Sequence, residues 1–417
     1  MVKYFIFLLI IFKNVHSSDI SSSFDSIQND PLNRINNHFI IPSFLLNRTK
    51  FWYNIYSKYH DKNIIIHDKK NPNIIFEVLD FSNVYKSKLN RFTNITIQKN
   101  LIKGKIKAIA TFLKINVKKK RKRKLISFFK KYKIPFKSRT LYKKALLLAE
   151  NIRAQTGQKN NINNGFKSFL KNRSFFNSLF TIFKIPEEFI AIPFLESSFN
   201  SDAQSKVGAK GAWQFMDYVG KSFFVQNKLI DHRLNIYLSS IGAMQLIRQN
   251  YRILKRYDLS VIAYNSGLKH LFKAKRKLKK NDLMLKDLFF RYKHPGFGFA
   301  SINFISEFLA LVYLLKYNPN YSIDNLNNQN NKIFFYTTLC KTIPKKLFSN
   351  LSSYSKNLNL LNKHILNKDI KHNKGLVFIT DFDFKNKNFK KINTSTILKT
   401  YPRYWHRIAH RYNCSIK

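Results

Sequence analysis

From Phe189 to Leu195 the chain reads FIAIPFL without a charge, and the next residue is Glu196. Ile190, Ile192, Phe194, Leu195 and Phe199 surround that acid at spacings that suit a helix packed into a core. A fold that accepts this stretch must bury the apolar side chains and still find a place for a carboxyl group. Two readings follow. As a structural residue, Glu196 would be salt-bridged or would reach for solvent along its own stem. As a functional one it would be a general acid, because desolvation disfavours the charged form, raises the pKa and keeps a proton available near neutrality.

The residues that follow bear on the choice. Ser197 and Ser198 supply hydroxyls, NSDAQS is polar, and VGAKGAWQFM brings two glycines close together. Gly208 and Gly211 allow a tight turn and a close approach to a ligand, while Trp213, Gln214 and Met216 place an aromatic ring, an amide and a thioether nearby. That mixture suits a sugar chain, although Trp213 suits a core equally well. Further on, AYNSG at Ala263 to Gly267 sets a Tyr hydroxyl and an Asn amide just before a glycine that can end a helix.

The rest of the chain reads as mainly α. FWYNIYSKY, at Phe51 to Tyr59, has the aromatic spacing of a helix end, and NIIIHD and IIFEVLDF, separated by KKNPN, read as a small β-hairpin. The stretch 100–183 has a helical pattern, and 185–200, 236–257, 258–280 and 299–317 repeat it with polar or glycine-containing breaks. NLNNQNNK reads as a linker, and beyond it a helical stretch and GLVFITDF suggest a small α+β module ending in the basic aromatic tail YPRYWHRIAHRYN. The expected organisation is a signal peptide at 1–17, an N-terminal region with helix and hairpin at 18–100 and a helical region at 101–180. A catalytic domain at 181–320, a linker at 321–332 and the α+β module at 333–417 complete it.

The N-terminal signal rests on Lys3, the apolar run Tyr4 to Phe12, and Val15 and Ser17 before a cut. It predicts an exported protein of the periplasm or cell envelope, membrane-associated if the signal stays attached. No Cys follows it to carry a lipid, and Cys340 and Cys414 stand without His neighbours at metal spacing. Neither a metal site nor an organic cofactor is expected.

Lys and Arg number 75 against 22 Asp and Glu, a formal charge of +53. Two origins fit. An AT-rich coding bias favours Lys, Asn, Ile and Phe together, and electrostatic attachment to an anionic cell-envelope polymer would use the same charge. KKKRKRK, at Lys118 to Lys124, reads as a solvated helix end or loop, or as a contact to such polymers. An exported protein is not expected to bind nucleic acid, and a monomer is expected.

ESSFNSDAQSKVGAKGAWQFM resembles the first motif of the soluble-lytic-transglycosylase (SLT) fold, and IAYNSG resembles its later Tyr-Asn motif, in the same order. IRAQTGQKNNINNGF, IFKIPEEFIAIPFLESSFN, DHRLNIYLSSIGA and FGFASINFISEFLALV look most like the membrane-bound lytic murein transglycosylase D type. The likeness runs from about residue 38 to 383 and is strongest over 151–317.

The resemblance implies a lysozyme-like α-helical catalytic domain that cuts the β-1,4 bond between N-acetylmuramic acid and N-acetylglucosamine in peptidoglycan glycan strands. Glu196 matches the family's single catalytic acid, which protonates the leaving oxygen and then takes the proton of the muramyl C6 hydroxyl as that hydroxyl closes on C1. Ser205 matches a serine that assists at the muramyl N-acetyl group or ring. Gln214 and Met216 match groove-lining residues, Tyr264 a tyrosine that positions or hydrogen-bonds the acid, and Asn265 a residue that holds its turn. Ser197 completes the substrate-binding set. For Ser205 and Asn265, ordinary turn chemistry is an equal alternative.

Several positions depart from the family pattern. Ser201 stands where the family has Pro, with Asp202 beside it; Asp217, Tyr218, Val219 and Gly220 replace a Pro-Ser-Thr-Gly stretch; Asp231, His232 and Arg233 replace Asp-Glu-Arg. The last keeps an Asp-Arg contact that would lock the loop below the groove. Two rival functions remain: a muramidase in which Asp202 or Asp217 orients water, and a catalytically weakened peptidoglycan-binding scaffold.

Overall fold

A computed structural model of the chain describes residues 22–84, 91–228, 230–318, 321, 332–338, 342–343, 357–366, 370–371, 377–385 and 389–400. The expected signal at 1–17, nearly all of the linker, both cysteines and the tail from Tyr401 lie outside the described residues. The architecture is mainly helical, with small antiparallel sheets, and it divides into two compact units, 1–161 with 298–321 and 162–297 with 322–417.

In the first unit the expected hairpin forms. Asn63–Asp68 pairs antiparallel with Ile75–Asp80, and the turn closes where Asn71 N donates to Asp68 Oδ2 at 2.7 Å. The hairpin is two-thirds of a sheet: Ile152–Thr156, in a stretch expected to be helical, pairs with the other edge of Asn63–Asp68. The correction has a physical reason, since this short segment owes its state to a partner strand far away in sequence. Ile66, Phe76, Leu113, Leu125, Phe129 and Leu141 then form one core between the sheet and the helices Arg91–Lys118, Lys122–Lys131 and Leu141–Glu150. Lys118 to Lys124, all exposed, run from the end of the first of these helices across the turn into the start of the second.

Helix Phe299–Tyr317 belongs to this first unit, although the sequence places it at the end of the catalytic domain. It is long and apolar enough to cross a membrane, but most of it is buried inside the protein. It packs on Leu46–Ser57, where Asn303 Oδ1 accepts from Arg48 Nη1 at 2.8 Å and from Trp52 Nε1 at 3.1 Å.

The second unit is organised by Ile236–Leu254, whose N-cap Asn235 accepts from the backbone N–H groups of Tyr237 and Leu238. The helix is buried over Tyr237–Met244 because Ser239, Ser240, Gly242 and Ala243 let neighbours come close. A Cβ at Gly242 would lie 2.2 Å from the Phe224 ring. Arg173–Phe183 and Tyr257–Ser266 pack on it. Strand Phe334–Thr338 lies between Val377–Thr380 and Phe389–Ile392, antiparallel to both. Tyr336, Phe378 and Phe389 share a core with Val225 and Ile230, so the α+β segment is packed into the same unit as the residues around Glu196.

Candidate active site

Glu196 stands near the end of the short helix Ala191–Ser197. The helix is stopped by two successive left-handed residues, Ser198 at φ 53° and Phe199 at φ 64°, a conformation that costs a non-glycine residue free energy unless packing holds it. Packing does hold it. Ser198 N donates to Phe194 O and Phe199 N to Pro193 O, each at 2.9 Å. The Phe199 ring is buried against Phe169, Phe176 and Phe194. Gly165 gives the turn room, because a Cβ there would stand 2.5 Å from Ser198 O.

Burial sets the state of the acid. Glu196 is half-buried, and desolvation pushes its pKa up to about 8 from the usual 4.5. In a chain with 75 Lys and Arg, no cation or hydrogen-bond donor meets the Glu196 carboxyl among the described residues. The salt-bridged alternative is therefore not the arrangement found. The group holds a proton at neutral pH and faces no internal partner that would claim it.

Tyr264 shares the site. Its hydroxyl donates to Trp213 O at 2.7 Å, and its own pKa is raised well above the ordinary value by burial and then by the charge of Glu196. It thus feels the acid while bonding to the loop beside it. Trp213 is fully buried and donates from Nε1 to Ser240 Oγ at 2.7 Å, which makes it a core anchor. The Ser239-Ser240 pair, inside the apolar first half of the helix Ile236–Leu254, is the sequence signal for that anchor.

The loop from Asn200 to Met216 is built around its own hydrogen bonds. Ser197 Oγ donates to Ala212 O at 2.9 Å and accepts from Asn200 N at 2.9 Å, so it braces the end of the Glu196 helix against the glycine loop. Ser205 Oγ accepts from Ala209 N at 2.9 Å, which leaves its proton free to donate. Gln214, at φ 48°, donates from Nε2 to Gly211 O at 2.9 Å and Ala203 O at 3.2 Å, leaving its carbonyl oxygen as an acceptor. Met216 is half-buried just ahead of the short helix Asp217–Gly220. Asn265 is exposed and its side chain makes no hydrogen bond among the described residues. The turn expected to rest on Asn265 is shaped instead by Gly267, at φ 79°, and by Ser266 Oγ donating to Ile262 O.

Beneath this loop lies a buried clamp. Arg233 donates from Nε to Asp231 Oδ1 at 2.9 Å and from Nη2 to Oδ2 at 2.8 Å, and both side chains are about one-twentieth exposed. Its remaining nitrogen, Nη1, reaches Phe215 O at 3.2 Å and Gly208 O at 3.3 Å. Gly211 fits above the clamp only without a side chain, since a Cβ would lie 1.8 Å from Arg233 O. The structural role expected of Asp231 and Arg233 is the geometry observed.

The two acids that could serve as a second carboxylate are both engaged. Asp202 is paired with Lys363, a residue of the C-terminal segment that no local pattern places here. Asp217 is exposed, with Lys221 at 2.8 Å and Arg233 at 3.5 Å, and the Lys221 ammonium above all holds its carboxyl below the usual range. The same C-terminal segment ties down the clamp: Asp231 N donates to His364 O at 2.8 Å and Asn235 Nδ2 to Leu361 O at 2.6 Å.

The site thus combines a half-buried acid with a raised pKa, a tyrosine beside it and a glycine-rich loop pinned below. The chain is 28% identical over 145 residues to membrane-bound lytic murein transglycosylase D of Escherichia coli K12, and equally to its counterpart in an E. coli O6:H1 strain. The match takes in 33% of this chain and spans 30% of the length of each relative. Residues 183–284, which contain Glu196, the clamped loop and Tyr264, match the family model of the Transglycosylase SLT domain, and the chain carries that domain.

Proposed function

We propose that the protein is a peptidoglycan lytic transglycosylase of the cell envelope that uses Glu196 as its one catalytic carboxyl group. The observation that carries the reading is the state of Glu196: protonated near neutrality through desolvation, with no cation to hold its charge among the described residues. The SLT match and the likeness to relatives named lytic murein transglycosylases support the same substrate class.

The reaction balances without water. Glu196 donates its proton to the glycosidic oxygen as the bond to the muramyl C1 breaks, and N-acetylglucosamine leaves with a free C4 hydroxyl. The muramyl C6 hydroxyl then attacks C1, and the Glu196 carboxylate takes the proton released. The product is a 1,6-anhydro ring, and the acid ends as it began. Attack from within the same sugar gains from proximity. It also removes the need for the second carboxylate of a hydrolase, consistent with Asp202 and Asp217 being held by cations. Ser205 and Gln214 keep a free donor and a free acceptor beside the site, and Asn265 keeps its exposed amide; these are the polar groups for the glycan.

Mass spectrometry of purified peptidoglycan digested with the protein tests this. The expected products carry 1,6-anhydromuramic acid, and Glu196→Gln reduces their release by roughly a thousandfold, within the range for losing a general acid. Reducing muramyl ends would indicate a muramidase instead, and intact glycan with retained wall binding would indicate a scaffold.

A further inference from the structure

Two side chains of the second unit break the usual rule of burial. Val207 and Tyr218, each 73% exposed, are the most exposed large apolar residues of that unit among the described residues, and no other described tyrosine is exposed. A single exposed apolar residue needs no explanation. These two are not scattered. Val207 precedes Gly208, and Tyr218 follows Asp217, and one guanidinium gathers both loops: Arg233 bonds Gly208 O and Phe215 O and lies 3.5 Å from Asp217. The gathered loop is in turn fastened to the acid's helix by Ser197 and to Tyr264 through Trp213 O.

We propose that Val207 and Tyr218 are the apolar contacts of a glycan subsite beside Glu196, with the Tyr218 ring stacked on the C–H face of one pyranose. The inference rests on the function proposed above and adds to it the residues that hold the sugar. A β-linked N-acetylhexosamine ring offers a flat face of C–H groups edged by polar substituents. An aromatic ring gives such a face a rigid apolar partner with few rotatable bonds to freeze. The clamp supplies the pre-organisation that a surface loop would otherwise lack. Ser205, two residues before Val207, and Gln214, between Val207 and Tyr218 in sequence, provide a donor and an acceptor for the polar edge.

Binding of penta-N-acetylchitopentaose to the Glu196→Gln protein, followed by titration calorimetry, reads the subsite without turnover. Tyr218→Ala is expected to weaken binding by about tenfold and Val207→Ser by about threefold, while Tyr218→Trp retains it. In the active protein, Tyr218→Ala raises KM for peptidoglycan and leaves the rate at saturation in place. Both side chains are exposed, so the melting temperature of each variant should match the parent, which separates lost binding from lost folding. Affinity within twofold of the parent in Tyr218→Ala overturns the subsite, and if anhydro products still form, the proposed reaction survives it. A Glu196→Gln protein that binds no glycan, beside a wild type that cuts none, overturns both.

Discussion

Glu196 and Asp231 are both acids withdrawn from solvent in the same compact unit, and their surroundings drive them in opposite directions. Burial would raise both. At Asp231 the Arg233 fork and the Lys210 ammonium at 3.2 Å outweigh burial and hold the carboxyl below the usual range. At Glu196 only burial acts, and the pKa climbs to about 8. The difference separates two uses of a buried carboxyl group. A charge that must stay fixed is given a bidentate cation and becomes part of the scaffold; a proton that must be delivered is buried with no cation in reach among the described residues. In a chain this basic, the lack of a cation at Glu196 among the described residues is the more informative of the two.

The comparison can be broken from either side, and the largest effect on stability should come from the clamp. Arg233→Ala leaves Asp231 buried with only Lys210 and frees the carbonyls of Gly208 and Phe215, so it is expected to cost about 3–5 kcal/mol in urea unfolding. If the cost were below about 1 kcal/mol, typical of an exposed pair, the clamp would not be the brace described.

The acid should show the opposite sign. In the unfolded chain Glu196 loses its proton near 4.5, whereas the folded protein keeps it to about 8. The folded pKa is raised, so the stability linked to this group is complete below about pH 4.5 and is lost progressively as pH rises to about 8. Glu196→Gln has no such loss. Its advantage over the parent should grow across that window to something on the order of 2 kcal/mol, after allowing for the solvent that reaches a half-buried side chain, and stay level above it. Urea midpoints at pH 5 and pH 9 measure the gap, and a gap that shrinks with pH would contradict the assignment. The smallest effect belongs to Tyr264→Phe, which removes the bond to Trp213 O and should cost about 1 kcal/mol.

Much of this is legible in the amino-acid sequence. The helical periodicity around the site, the misfit of Glu196 and the Asp231–Arg233 pair are local patterns, and local patterns survive folding. What stayed hidden depended on distant partners. Ile152–Thr156 becomes a strand through pairing with residues 63–68. The C-terminal segment, read as a separate module, supplies Lys363 to Asp202 and His364 to the backbone of Asp231. Ser197, expected at the substrate, bonds the glycine loop, and the Tyr264 hydroxyl bonds a carbonyl beside the acid; neither choice is encoded in residue type.

The central claim is that one carboxyl group completes the reaction without water. Digestion of peptidoglycan in water enriched in oxygen-18, with the new muramyl ends weighed by mass spectrometry, asks this directly. The account predicts ends that carry no oxygen-18 and are lighter by one water than reducing ends. One heavy oxygen at each cut would mean that water attacks C1, and would contradict it.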